Sequence, residues 1–139
     1  MVRLVPQRTL GRTSPDLRSM SFPQRPDVVV EVSAPGIAPA LILFDLKYKL
    51  RSDEQPVLAE EEDPSVPPGQ PKKVDIDTMH AYRDAIRTLS GERVVSYAAI
   101  LYPGPEVRYP PGIEALKADP LRPELLRERL RSVLSAAIA

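Results

Sequence analysis

Two charged side chains, Asp45 and Lys47, interrupt the apolar segment LILFDLKYKL, which otherwise is typical of a buried β-strand. Because side chains alternate across a strand, Asp45 and Lys47 share one face, and Ile42 and Phe44 share the other. A carboxylate can bind a divalent cation, and a nearby ammonium group can orient a metal-bound water or neutralise charge developing on a phosphate. The pair could therefore hydrolyse a phosphate ester. On an exposed strand end, it would instead be a surface ion pair contributing at most ~1 kcal/mol.

A second carboxylate is predicted to meet this pair. The segment DVVVEV (27–32) is a β-branched strand that places Asp27 and Glu31 on one face. The short connection at 33–39 favours antiparallel pairing with the strand at 40–50. A cluster of buried charges is costly unless a cation compensates it, and Mg²⁺ commonly takes one or two carboxylates while keeping several waters. The sequence predicts a sheet face that carries Asp27, Asp45 and Lys47, with Glu31 as a reserve metal ligand.

The other elements must position this face. Hydrophobic spacing predicts the element order β-β-β-α-β-α, with a proline-rich acidic loop at 51–71 that we expect to be flexible, and a single domain over 1–139. The predicted elements are strands at 16–22, 27–32, 40–50 and 93–102, a helix that is capped by Asp75 and ends near Gly91, and a C-terminal helix that opens at Pro123.

Composition limits the classes of function. The chain has 139 residues and no cysteine, so thiol nucleophiles and cysteine zinc sites are excluded. Lysine plus arginine and aspartate plus glutamate both number 19, which argues against a chain that coats nucleic acid by charge alone. The sequence has no apolar run of membrane-spanning length and no signal peptide, so we expect a cytoplasmic protein without a membrane partner.

Four blocks in a fixed order carry a family resemblance: RPDVVVEV, LILFDLKYKL, DIDTMHAYRDAI and AAILYPG. Together they resemble the PD-(D/E)xK nuclease superfamily, with the nuclease domains of McrC-like restriction components as the nearest likeness, over about residues 20–104. The resemblance implies an α/β (mixed α+β) restriction-endonuclease-like core, with a mixed sheet of about four strands flanked by helices. The usual N-terminal helix would be missing, because PQRTLGRTSP is a poor helix former.

The resemblance also implies roles for particular residues. Asp27 and Asp45 would be catalytic metal ligands, the backbone carbonyl of Leu46 a third ligand, and Lys47 the catalytic lysine. Tyr82 would support the site from the helix, although Thr78 replaces the glutamine that family members carry four residues before this tyrosine.

His80 is the only histidine in the chain. It has helical spacing with Arg83 and Arg87, so the three side chains could form a supporting row that faces a phosphate. A solvated helix face is the alternative interpretation.

The implied function is Mg²⁺-dependent hydrolysis of DNA by a metal-activated water in a restriction or defence system, with Mn²⁺ able to substitute. Implied partners are DNA and an McrB-like nucleotide-hydrolysing motor protein, and the C-terminal helix leaves a homodimer open. The alternative is a catalytically inactive nuclease-fold module that binds DNA or protein. An unrelated small α/β protein would be favoured if Asp27 and Asp45 lay far apart.

Overall fold

The structure is a computed structural model that describes residues 1–47 and 69–138. Most of the loop predicted at 51–71, and the end of the strand predicted at 40–50, lie outside the described residues. The strands are β1 (Val2–Pro6), β2 (Leu17–Ser19), β3 (Val28–Ala34), β4 (Ile37–Leu46), β5 (Ile86–Thr88), β6 (Val95–Tyr102), β7 (Val107–Tyr109) and β8 (Ile113–Lys117), and the helices are α1 (Lys73–Ala85) and α2 (Pro123–Ile138).

Six of these strands form one mixed sheet in the order β1-β3-β4-β6-β8-β7. The pairs β1–β3, β3–β4 and β7–β8 are antiparallel, whereas β4–β6 and β6–β8 are parallel. This confirms the predicted mixed α+β class, with six strands in place of about four. The additional strands, β1, β7 and β8, have three to five residues each and lie close to prolines or glycines, so their sequences carry little periodicity.

The sheet separates two cores. In the β3–β4 register Val29 pairs with Leu43 and Val30 pairs with Ile42. Val29 and Leu43 pack with the buried residues of α1, and Val30 and Ile42 pack on the opposite face with Val133 of α2. The alternation predicted for β4 is therefore confirmed, and the face that carries Asp45 is the α1 face.

Helix α1 begins and ends earlier than predicted. Its N-cap is Lys72, without a side-chain cap hydrogen bond, so the prediction that Asp75 caps the helix is wrong. The helix ends at Ala85 rather than near Gly91, because the chain continues as β5, which pairs with β2. Cross-strand pairing outweighs the helical spacing there, and Leu89, which lies inside the helix bounds predicted from the sequence, is exposed.

The predicted strand at 16–22 is the short β2, and it does not pair with the antiparallel strands β3 and β4. It forms a separate two-stranded sheet with β5, in which Ser19 pairs with Ile86. Helix α2 begins at Pro123, as predicted. None of the helices within the described ranges is long and apolar enough to cross a membrane.

Candidate active site

Asp27 and Asp45 meet where β3 begins and β4 ends. Val28 pairs with Phe44, so Asp27 and Asp45 are the next opposite residues along the two antiparallel strands. The Asp27 N–H donates to Oδ1 of Asp45 (2.9 Å), and the Leu46 N–H donates to Oδ2 of Asp27 (2.8 Å). Opposite residues in such pairs have Cβ atoms about 4.5–5.5 Å apart. The two carboxylates therefore lie side by side. They do not have the wide separation that would have favoured an unrelated small α/β protein.

Asp45 is the buried member of the pair, with 3% of its surface exposed. Its Oδ2 accepts a hydrogen bond from the Tyr82 hydroxyl, donated from the buried face of α1 (2.9 Å). Burial raises the pKa of Tyr82 far above its usual value, and the negative charge of Asp45 adds to that shift. The hydroxyl therefore keeps its proton and remains a donor that fixes the orientation of the Asp45 carboxylate.

Lys47 approaches Asp45 from the same face. Its Nζ lies 3.7 Å from Oδ2 of Asp45 and 4.0 Å from Oδ1 of Asp75, and its side chain is 31% exposed. The Lys47 N–H donates to the carbonyl of Leu101 on the parallel strand β6 (2.8 Å), which anchors the backbone of the lysine just beyond β4. One ammonium group thus lies between an acid of the sheet and an acid of helix α1.

Asp75 is the residue of this cluster that the sequence interpretation missed, because it was assigned to a helix cap. Burial raises the pKa of Asp75, opposed by the positive charges of Lys47 and Lys72 and reinforced by Asp45. The signal was present: Asp75 lies seven residues before Tyr82, which places both on one face of a helix, two turns apart.

Two of the predicted site residues lie away from the acid pair. Glu31, the reserve ligand, is four residues along β3 from Asp27, about 13 Å at strand spacing. Its carboxylate instead forms ion pairs with Arg3 and Arg8, each at 2.9 Å. His80 is exposed, and its Nδ1 lies 3.1 Å from an Arg83 nitrogen.

Thr78 stands at the position where the resemblance implies a glutamine. The Thr78 hydroxyl donates to the carbonyl of Val74 in its own helix (2.9 Å). Leu46 enters the site through its N–H group, and a ligand role for its carbonyl stays a prediction.

The acid pair fits a hydrated Mg²⁺ ion. Within residues 1–47 and 69–138, no group of three or more histidine, aspartate or glutamate side chains is arranged to hold a metal. Asp27 and Asp45 nevertheless supply two adjacent carboxylates, which is the usual protein share of a Mg²⁺ site that keeps waters for a phosphate. Within the described residues, three acids (Asp27, Asp45 and Asp75) face two lysines, Lys47 near Asp45 and Asp75 and Lys72 acting on Asp75, so additional positive charge would be stabilised here.

This geometry, a second aspartate interlocked with an Asp-x-Lys strand end on a mixed sheet, is the arrangement expected of a nuclease core. A family model described as the PD-(D/E)XK nuclease superfamily matches residues 1–107, and the chain therefore belongs to this superfamily. Members are typically nucleases that use divalent metals and act on DNA. The match includes β1 and ends before β8 and α2. Searches of curated proteins and of solved structures returned no match.

Proposed function

We propose that this protein is a Mg²⁺-dependent endodeoxyribonuclease that hydrolyses DNA phosphodiester bonds, with Mn²⁺ able to replace Mg²⁺. The observation that carries the proposal is the interlocked pair of Asp27 and Asp45 with the Lys47 ammonium group 3.7 Å from Asp45. Two carboxylates beside one lysine provide what a metal-assisted hydrolysis needs from the protein: ligands, and a fixed positive charge close to the reacting phosphate.

Each residue has a distinct role in this proposal. Asp27 and Asp45 hold the cation, together with the carbonyl of Leu46, and Tyr82 keeps the Asp45 carboxylate in place through its hydrogen bond. The bound cation supplies Lewis acidity and an activated water. Lys47 orients that water or neutralises the charge that develops on the phosphate oxygens.

The proposal also covers the biological system and the partner protein with which the enzyme acts. A net charge of zero gives the chain little general attraction for DNA, so we place it in a restriction or defence system in which an McrB-like motor protein supplies DNA affinity. The same proposal includes a McrC-like relationship, a single domain over 1–139, a cytoplasmic location and a homodimer through α2.

A second candidate function is a nuclease-fold module that binds DNA or protein without cleaving it. Thr78 favours this candidate, because it replaces the family's glutamine and donates its hydroxyl to its own helix rather than to the site. Metal binding separates the two candidates, since an inactive module has no need for a cation between Asp27 and Asp45.

Plasmid cleavage in Mg²⁺ or Mn²⁺ tests the proposal directly. We expect Asp45→Asn and Lys47→Ala to lower the cleavage rate by about 10³-fold, a typical loss when a metal ligand or charge-stabilising group is removed. Asp77→Asn and Lys73→Ala are matched controls, because these residues form an exposed ion pair with each other on α1. Equal cleavage by all variants would indicate a contaminating nuclease, and metal-independent DNA binding without cleavage would favour the inactive module.

A further inference from the structure

Asp75, in helix α1, has no role in the proposed hydrolysis. Asp75 lies in the first turn of the helix, its side chain is 16% exposed, and its Oδ1 is 4.0 Å from the Nζ of Lys47. Its neighbour on the same helix, Asp77, has a side chain that is 54% exposed and pairs with Lys73. Of these two aspartates, only Asp75 is directed toward the candidate site.

Asp75 and Tyr82 contact the strand end in parallel. They are seven residues apart, so they lie on one face of α1, separated by about 10 Å along the helix axis. Asp45 and Lys47 are two residues apart and also share a face. Tyr82 contacts Asp45, and Asp75 contacts Lys47. The helix therefore places one polar group against each of the two charged residues of the Asp-x-Lys segment.

The electrostatic consequence concerns Lys47 when a cation is present. A cation bound by Asp27 and Asp45 would repel the ammonium group, which lies 3.7 Å from Asp45. The attraction of Asp45 for Lys47 would be weakened at the same time, because the carboxylate would be shared with the metal. Asp75 is the acid on the other side of the ammonium group, so it can keep Lys47 at the site.

We propose that Asp75 is a positioning residue that holds the Lys47 ammonium group beside the metal-binding acids without itself binding the metal. This inference rests on the proposed nuclease function for its catalytic consequence, but the contact between Asp75 and Lys47 can be tested separately. Asp75 then acts through Lys47 alone, which sets apart its expected effects from those of Asp27 and Asp45.

Cleavage kinetics test the catalytic part. We expect Asp75→Asn to lower kcat by about 5- to 50-fold, less than the ~10²-fold that a 1 Å misplacement of a reacting group can cost, with the KM for DNA and the Mg²⁺ affinity unchanged within about twofold. Asp75→Glu should recover most of kcat, because its carboxylate can still reach the ammonium group, and Asp77→Asn should match the unaltered protein. Unchanged kcat in Asp75→Asn, or a tenfold loss of Mg²⁺ affinity by calorimetry, would overturn the proposal.

A double-mutant cycle in metal-free protein tests the contact without reference to activity. The unfolding equilibrium constants of the unaltered protein, Lys47→Ala, Asp75→Asn and the double variant give the coupling between the two side chains. We expect a coupling of about two- to fivefold, the upper part of the range for partly exposed ion pairs. The pair Lys47→Ala and Asp77→Asn should show none.

The two experiments fail in different ways. If the unaltered protein does not cleave DNA but the coupling is present, the nuclease function fails while the Lys47–Asp75 contact stands. If the protein cleaves DNA and the coupling is absent, the positioning role of Asp75 fails and the nuclease function stands.

Discussion

The two faces of the sheet each carry a tyrosine that donates to a carboxylate, buried in the case of Tyr82 and partly buried in the case of Tyr97. On the α1 face, Tyr82 donates to Asp45 at 2.9 Å, and on the α2 face, Tyr97 donates to Glu114 at 2.7 Å. Burial raises the pKa of both tyrosines far above the usual value, and the neighbouring carboxylate contributes in each case. Both hydroxyls therefore keep their protons and donate to a carboxylate, and a further difference between the faces lies in the charges around each carboxylate.

The α2 cluster is balanced in charge, and the α1 cluster is not. The Arg129 Nη2 atom donates to both carboxylate oxygens of Glu114 (2.9 and 2.7 Å) and its Nε donates to Glu106 (2.8 Å), while Arg108 lies 3.8 Å from both acids. Charge-assisted hydrogen bonds are stronger than neutral ones, so this cluster tethers α2 to β8. On the α1 face, within the described residues, the three acids Asp27, Asp45 and Asp75 face only two lysines, Lys47 and Lys72. The comparison distinguishes a structural polar cluster from one suited to a cation.

Breaking the balanced cluster should have the largest effect on stability. Arg129→Ala removes the hydrogen-bonded cation of Glu114 and leaves only Arg108, at 3.8 Å, so we expect the free energy of unfolding to fall by about 2–3 kcal/mol, less than for a fully buried pair. Chemical denaturation measures this loss. Adding Glu114→Gln should recover part of it, because the uncompensated charge is removed; no recovery would mean that Arg129 acts through packing.

Removing a charge from the α1 cluster should cost less stability than removing one from the α2 cluster. Asp45→Asn removes one of three neighbouring negative charges, and the amide can still accept from the Asp27 N–H while donating to the Tyr82 hydroxyl. We therefore expect its free energy of unfolding to stay within about 1 kcal/mol of the unaltered protein. A loss as large as that of Arg129→Ala would contradict the distinction between the two clusters.

Adding Mg²⁺ should stabilise the protein through the α1 cluster and not through the α2 cluster. At a Mg²⁺ concentration ten times its dissociation constant, binding to the folded state should stabilise the unaltered protein by about 1.4 kcal/mol, or about 3–6 °C in Tm. Asp45→Asn should lose this shift and Arg129→Ala should keep it, as thermal denaturation with and without Mg²⁺ would measure. A Tm shift that survives Asp45→Asn would place the cation elsewhere.

The two tyrosines form a matched pair for a smaller test. Tyr82→Phe and Tyr97→Phe each remove one hydrogen bond to a carboxylate, and each should lower the free energy of unfolding by about 1–2 kcal/mol. Only Tyr82→Phe should also lower the DNA cleavage rate, by about tenfold, because only Asp45 is a proposed metal ligand. Equal cleavage by the two variants would exclude a supporting role for Tyr82.

The sequence predicted the α1 face better than the α2 face, for physical reasons. The alternation in β4 and the helical spacing of Tyr82 follow from local geometry, so the meeting of Asp45 with Asp27 could be inferred. The Glu114–Arg129 pair joins α2 to β8, a strand too short and glycine-flanked to be recognised. Glu31 could not be excluded from the sequence, because its partners Arg3 and Arg8 lie on or next to the unpredicted strand β1.

Asp75→Asn should have the smallest effect on the free energy of unfolding, and the sign of this effect depends on pH. Burial raises its pKa above the ordinary value of 3.8, so just above that value the folded protein binds more protons than the unfolded chain, and stability falls as the pH rises. Asp75→Asn lacks this loss. In metal-free protein the variant should therefore gain stability relative to the unaltered protein from about pH 4 upward, until Asp75 is ionised in both states.

Urea denaturation of both proteins between about pH 3 and pH 7 measures this difference. A constant difference, or one that turns against Asp75→Asn as the pH rises, would mean that Lys47 and Lys72 fully offset the cost of burying the carboxylate. The predicted course would instead mean that Asp75 lowers the stability of the metal-free fold. A residue with that cost is better explained by the position it gives Lys47 than by the stability of helix α1.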